Sequence, residues 1–377
     1  MRLLIAPGAF KHSLGAAQVA DAIKTGLSEA LPDAILITLP IADGGNGTLD
    51  AWLAQGGTRY QITVHDPLMR PIQADYGILP DGKTAIIEMA QASGIELLTD
   101  EELNPLLATT YGTGELMKHA LAHGARRFII GMGGSATVDG GAGALQALGI
   151  RLLDKNGHDI QQGGGHLVDI MTIDSTQLDD RWENCDIIIA SDVENTLLGA
   201  SGAAAVFAPQ KGASKADVVT LENNLTHFAE VITTQHAVDI RDIVGTGAAG
   251  GLSAGLLAFI GGDIRSGIDL LFDYNGFESE LQQADWVITG EGQMDEQTVY
   301  GKGPIGVARL AQQYRIPTIA LVGGLNVHDR ILHQAGVTAA FSIVDQPMSL
   351  EYALNNAESL IERAALRVGY LLQAIQK

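Results

Sequence analysis

The chain has 377 residues, 46% of them apolar, with 44 acidic side chains against 23 Lys and Arg. The net charge of −21 argues against nucleic acid or an anionic membrane as partner, but a small anionic substrate needs only a few local cations. One cysteine, Cys185, excludes an internal disulfide and points to a reducing compartment; the opening MRLLIAPGAF is broken too soon by Pro7 and Gly8 for a signal peptide; no apolar run nears the ~20 residues of a membrane span. The expected compartment is the cytoplasm. The length allows two or three domains, and the 46 glycines, without collagen period or low complexity, must sit in turns and loops.

Leu3 to Ala6 reads as a buried strand ended by Pro7-Gly8. Ser13 is placed as N-cap of a helix to about Ala30, with Val19, Ala22, Ile23 and Leu27 on one face. A second strand, Ala34 to Leu39, leads through Asp43-Gly44-Gly45-Asn46-Gly47 into another helix, so the chain opens β-α-β-α, as a doubly wound parallel sheet does. The pattern then changes. Segments 60–65, 73–79 and 84–89 look like antiparallel strands with a hairpin turn at Asp81-Gly82. A helix is expected over 112–122, a hairpin at Asn156-Gly157, a strand over 185–190, and a helix capped by Ser214. The run 245–262 reads as one small-residue helix packing on a sheet. A strand over 284–289 opens onto a loop with Glu291 and Asp295; a helix led by Pro304, strands near 317–322 and 338–343, and a helix from about Leu350 complete a β-α-β pattern. The expectation is therefore two α/β domains. One is a discontinuous doubly wound, flavodoxin/Rossmann-like domain (1–62 and 283–377). The other, 63–282, is an inserted mixed α/β domain, with the active site in the cleft between them.

The stretch 131–149, GMGGSATVDGGAGALQALG, is the centre of the functional reading. The apolar run Phe128-Ile129-Ile130 feeds into it and a helical pattern from Ala142 leaves it. A strand, a glycine-rich turn and a helix start let backbone N–H groups approach an anion. Ser135 and Thr137 add hydroxyls, and Asp139 a carboxylate for metal or hydroxyl contact. The pattern is neither G-x-x-x-x-G-K-[ST] nor G-x-G-x-x-G. Loops 8–13, 43–48 and 290–303 likewise follow buried strands with glycine beside carboxylate or lysine, and 191–195 and 209–214 accompany them. Phosphoryl transfer needs such a set: backbone donors, cations, Mg2+ on carboxylate, and a carboxylate for the acceptor hydroxyl. Lys11, Lys211 and Lys302, each in a glycine-bearing loop, rank above helix-borne lysines. Arg70 could clamp a carboxylate. No G-x-S-x-G elbow is present.

Ile5-Ala6-Pro7 with Phe10-Lys11 and Ser13-Leu14, Ala42-Asp43-Gly44-Gly45 with Gly47-Thr48, Gly133-Gly134-Ser135-Ala136-Thr137 with Asp139-Gly140-Gly141, Asp192-Val193 with Asn195, Pro209 to Ala213, and Thr289-Gly290-Glu291-Gly292 with Asp295 recur in one order. In these the sequence resembles the bacterial glycerate kinase family (glycerate kinase type 1) over essentially its whole length. The resemblance implies a two-domain α/β fold and ATP-dependent, Mg2+-assisted phosphorylation of D-glycerate, usually to 2-phosphoglycerate. The partners implied are D-glycerate and ATP, with no nucleic acid and no membrane, and homodimerisation left open. Four positions depart from the family pattern: Gly8 for Asp, Asn46 for Glu, Val138 for Asn and Thr196 for Pro. The first two remove acids beside the expected site, which keeps a kinase for a related hydroxy or sugar acid, a 3-phosphoglycerate product, or an inactive nucleotide-binding relative as alternatives. The roles expected are phosphate binding by Gly133, Gly134, Ser135, Ala136, Thr137 and Asp139; charge compensation by Lys11 and Lys211; action on the 2-hydroxyl by Asp192; acceptor binding by Arg70, Asp43 and Ser13; and Mg2+ binding by Asp295 with Glu291.

Overall fold

A computed structural model describes residues 1–42, 44–45, 47–295 and 303–375. Asp43, Asn46 and Lys302 lie outside the described residues. The strands, in chain order, are β1 (Arg2–Ile5), β2 (Ile35–Thr38), β3 (Thr58–His65), β4 (Pro71–Ile78), β5 (Thr84–Glu88), β6 (Arg127–Gly131), β7 (Arg151–Leu153), β8 (Thr172–Asp174), β9 (Asp186–Ala190), β10 (Asp263–Arg265), β11 (Trp286–Asp295), β12 (Thr318–Asn326) and β13 (Ala339–Ser342). The chain divides into two compact α/β units: Met1–Asp43, Asp50–Gln55 and Ile268–Lys377 form one, and Gly44–Leu49 with Gly56–Gly267 the other.

The first unit is built on a five-stranded parallel sheet in the order β13-β12-β11-β1-β2. Its central strands are apolar without alternation because both faces are covered. Leu3 and Ile5 face the helices Ala16–Ala30 and Ala357–Ile375, whereas Leu4 and Ala6 face Phe277, Leu281 and Val307 on the other side. Each such fully buried Leu or Ile contributes about 2 kcal/mol through area removed from water.

The second unit holds a six-stranded mixed sheet in the order β10-β9-β6-β5-β4-β3. β3, β4 and β5 are antiparallel neighbours, and β5, β6, β9 and β10 run parallel. β7 and β8 form a separate antiparallel pair.

Several expectations are corrected. The unit boundaries fall near 55/56 and 267/268 rather than 62/63 and 282/283. β3 pairs with β4 along its whole length, which carries residues 58–62 into the second unit. Ile268, Phe277 and Leu281 are buried against Leu4 and Val287, which carries 268–282 into the first. Gly15, not Ser13, is the N-cap of the first helix; the Gln18 side chain accepts its N–H at 3.0 Å. Run 245–262 is not one helix: Ala249, Gly250 and Gly251 are left-handed, and the helix is Leu252–Ile260. β11 does not stop at 289. Gln293, Met294 and Asp295 continue the ladder against Gly324, Leu325 and Asn326 of β12.

Candidate active site

In the second unit, parallel pairing sets the ends of β6 and β9 side by side, Gly131 opposite Ala190. Met132 N–H donates to Ala190 O at 3.2 Å and Gly133 N–H to Gly44 O at 2.9 Å. A Cβ on Gly133 would come within 2.4 Å of Gly45 Cα, so two glycine loops touch backbone to backbone here. Asp192 follows β9 directly. It is half-buried, and both its carboxylate oxygens are shielded from solvent.

Residues 133–137 form a short arm rather than an open nest. Ile95 N–H donates to Gly134 O at 2.8 Å and Ala136 N–H to Ser93 O at 2.9 Å. The amides of Gly133 and Ala136 are thus engaged inside the protein, against the expectation that all five residues present amides to a ligand. Among the described residues, the N–H groups of Gly134, Ser135 and Thr137 have no hydrogen-bond partner.

Lys211 is buried to 1% exposure under this arm, in the one-turn 3-10 helix Pro209–Lys211. Its Nζ donates to Ser135 Oγ at 2.7 Å and to Thr137 O at 2.8 Å. Burial pushes its pKa down to about 7, against the opposing attraction of the Asp139 carboxylate. It is not a solvated loop lysine.

Asp139 is fully buried. Its Oδ2 accepts from Thr110 N and Thr110 Oγ1, both at 2.8 Å, and from Gly143 N at 3.2 Å; its Oδ1 accepts from Gly141 N at 3.0 Å. Burial raises its pKa, opposed by those hydrogen bonds. Asp139 therefore pins the turn and the start of the helix Ala142–Leu148 from within. Its hydrogen bonds all come from donors of the protein, where the sequence suggested contact with a phosphate or a metal. Thr110 was not singled out in the sequence, where it reads as an ordinary helix approach.

Glu88 was also missed. It ends the buried strand β5, is 2% exposed, and accepts from Gly47 N at 3.3 Å and Leu49 N at 3.1 Å. A glutamate closing the apolar run Ala85-Ile86-Ile87 was the available signal. A cavity of about 280 Å3 opens beside it, lined among others by Gly47, Gln73, Gln91, Gly94 and Glu96. Among the described residues its lining carries the carboxylates Glu88 and Glu96 and no lysine or arginine.

In the first unit, the turns after β1 and along β11 meet. Gly8 N–H donates to Gly290 O at 2.8 Å, and a Cβ on Gly292 would lie 3.3 Å from Lys11 N. Lys11 is exposed and His12 beside it is left-handed. Ser13 Oγ donates to Leu354 O at 2.6 Å, which ties this loop down and takes the hydroxyl proton from any substrate. Glu291 and Asp295 lie four residues apart on the regular part of β11, which separates their Cα atoms by about 13 Å. One Mg2+ ion, with ~2.1 Å bonds, cannot be held by both.

Arg70 also departs from expectation. Its Nε donates to the buried Asp66 at 2.5 Å and its Nη1 to Glu102 at 2.6 Å. Glu102 and Asp66 raise its pKa above the usual arginine value, so its fork is already occupied. Away from these loops, His119 and His123 stand four residues apart on the helix Tyr111–Ala122 and its C-cap. Their rings stack at 4.0 Å, with the Nδ1 atoms against Tyr76 Oη and His119 O. Among the described residues no three His, Cys, Asp or Glu side chains cluster as a metal site.

Residues 3–373 match the model of the glycerate kinase family. The chain belongs to that family. It is 46% identical to the glycerate 2-kinase of Escherichia coli K12 over 374 residues, 99% of this chain and 98% of that one. It is also 46% identical to the glycerate kinase of Bacillus subtilis 168 over 366 residues, 97% and 96% of the two chains. A crystal structure described as glycerate kinase 2 of Salmonella typhimurium LT2 superposes with a TM-score of 0.87 at 45% identity, covering 100% of this chain and 99% of that one. The glycerate kinase resemblance read from the motifs and the α/β fold class both stand. Among the described residues no helix is long and apolar enough to cross a membrane.

Proposed function

We propose that the chain transfers the terminal phosphoryl group of ATP to the 2-hydroxyl of D-glycerate, giving 2-phospho-D-glycerate and ADP. Its family and its near-full-length relatives support the reaction. The observation that carries the phosphate assignment is the arm 133–137, whose Gly134 and Ser135 amides are not used by the described protein. Such donors, fixed before the ligand arrives, stabilise a phosphate without reorganisation. The test is ADP release coupled to D-glycerate addition, with NMR of the product to locate the ester. A 2-phosphate is expected. Nucleotide binding without ADP release for any acceptor would make the chain an inactive relative.

The remaining roles follow from chemistry. Asp192, shielded at the end of a parallel strand, orients or deprotonates the acceptor hydroxyl. Lys11, exposed in the turn after β1, offsets charge on the transferring group. Mg2+ accompanies the nucleotide. An ion that keeps phosphate and water oxygens needs only one or two carboxylates. Asp295 is its holder, since Glu291 buries Oε1 and is too far along the strand to share the ion. Bound there, Mg2+ would neutralise charge on the phosphate oxygens. Arg70 and Ser13 already bond within the protein and take no acceptor role. An ATP-consuming reaction and a lone thiol agree with the cytoplasm as its compartment.

A further inference from the structure

We propose that Lys211 is a positioning residue that acts through Ser135: its buried Nζ donates to Ser135 Oγ, which turns the Ser135 hydroxyl proton outward as a donor to a nucleotide phosphate oxygen. The inference rests on the reading of residues 133–137 as the phosphate arm.

The argument is one of donors and acceptors. A lysine ammonium, the form that a bound phosphate favours at Lys211, has three donors and no acceptor, and a serine hydroxyl has one donor and two acceptor lone pairs. With Lys211 Nζ at 2.7 Å, Ser135 Oγ accepts there, and its own proton must point elsewhere. Among the described residues no acceptor takes that proton. The second bond, to Thr137 O, fixes the far end of the same arm. Lys211 itself is 1% exposed and sits behind Ser135, which is 9% exposed, so a ligand reaches the hydroxyl first. A hydroxyl that accepts from a cation is the stronger donor to an anion, because hydrogen bonds in a chain polarise one another. Three donors then lie on one residue and its neighbour: Gly134 N–H, Ser135 N–H and Ser135 Oγ–H. In its ammonium form Lys211 supplies positive charge to them from a buried place.

The test is a double-mutant cycle on the full chain, with Ser135→Ala, Lys211→Met and the double variant. Dissociation constants for ATP and for D-glycerate are measured separately, beside kcat and KM and a thermal melt. Each single variant is expected to weaken ATP by about 10- to 100-fold, the usual worth of a hydrogen bond to a charged group. D-glycerate affinity stays within twofold. The double variant is expected to be no weaker than the worse single. Ser135→Thr, which keeps the hydroxyl, restores ATP affinity to within a few-fold. Multiplicative losses in the double variant would overturn the proposal, because Lys211 would then act on its own. So would Ser135→Ala binding ATP as the wild type does. A loss confined to D-glycerate, still non-additive, would instead keep the Lys211–Ser135 coupling and overturn the assignment of the arm to nucleotide. Should Lys211→Met not fold, Lys211→Gln takes its place in the cycle, and the Ser135→Ala and Ser135→Thr pair stands on its own.

Discussion

Asp139 Oδ2 accepts both the backbone N–H and the hydroxyl of Thr110 at 2.8 Å, and Thr110 Oγ1 in turn accepts from Ala144 N at 3.0 Å. One carboxylate thus ties the approach to one helix to the first turn of another, with every described contact a donor from the protein. Asp139→Asn would point an amide at some of those donors. A loss of about 3 kcal/mol in urea unfolding is expected, since a buried group surrounded by unmatched donors costs its full desolvation. Thr110→Val, which keeps the shape but removes one donor to Asp139 and the acceptor of Ala144 N–H, should lose about 2 kcal/mol. A wild-type unfolding midpoint for Asp139→Asn would show the carboxylate is not holding the turn.

Lys211 sets a pH dependence whose sign can be worked out. Its folded pKa is pushed to about 7, below the ordinary lysine value of 10.5. Between those values the unfolded chain binds more protons than the folded one, so this group makes stability rise with pH from about 7 to 10. The slope is at most about 1.4 kcal/mol per pH unit. Asp139, the carboxylate that acts on it, opposes the shift. Lys211→Met should lose this rise, read as the difference in urea midpoints between the two proteins from pH 7 to pH 9.5. Bound polyphosphate favours the charged lysine. ATP binding near pH 8 should therefore take up a proton, seen by calorimetry in two buffers of different ionisation enthalpy and absent in the variant.

Much of this was legible in the residues, for physical reasons that differ along the chain. Leu3-Leu4-Ile5 and Ile187-Ile188-Ile189 read as strands because a parallel sheet covered on both faces needs no alternation. Ser214 read as an N-cap and is one, its Oγ accepting from Asp217 N at 3.2 Å. Residues 290–295 read as a loop because glycine and charge carry no strand signal; only the partner strand β12 extends them. Asp139 in a glycine-rich turn looks like a ligand until Thr110, 29 positions earlier, is brought onto it. Lys211 could be ranked as important, but whether it faced solvent or Ser135 was decided by packing that no local pattern records.

Asp192→Asn should separate chemistry from binding. Asparagine keeps the size of the side chain and removes its basicity. Turnover should fall by about 10²- to 10⁴-fold, the usual share of general acid–base catalysis, while ATP affinity changes by less than threefold. An unchanged kcat in steady-state kinetics would remove Asp192 from the hydroxyl.

Lys11→Ala probes the exposed cation in the turn after β1. If Lys11 offsets charge that grows in the transition state, kcat/KM should drop by about 100-fold, with the thermal melt unchanged because the side chain is exposed. Lys11→Arg should recover part of the rate, the guanidinium keeping the charge but not its position. Kinetics equal to the wild type would leave Lys11 a surface residue.

The extended geometry of β11 turns the metal assignment into a contrast between two acids on one face of one strand. Asp295 and Glu291 cannot share an ion across about 13 Å, so their variants should not look alike. Asp295→Asn is expected to raise the free Mg2+ needed for half-maximal rate about tenfold at saturating ATP, and high Mg2+ should restore most of the turnover. Glu291→Gln should leave that Mg2+ requirement unchanged. Its effect should fall on stability instead, because one of its carboxylate oxygens is shut away from solvent beside the β11–β12 ladder. Titrating Mg2+ against initial rate for both variants decides the matter. Equal shifts would mean that the ion is held through a geometry this strand does not offer, and the reverse order would move it to Glu291.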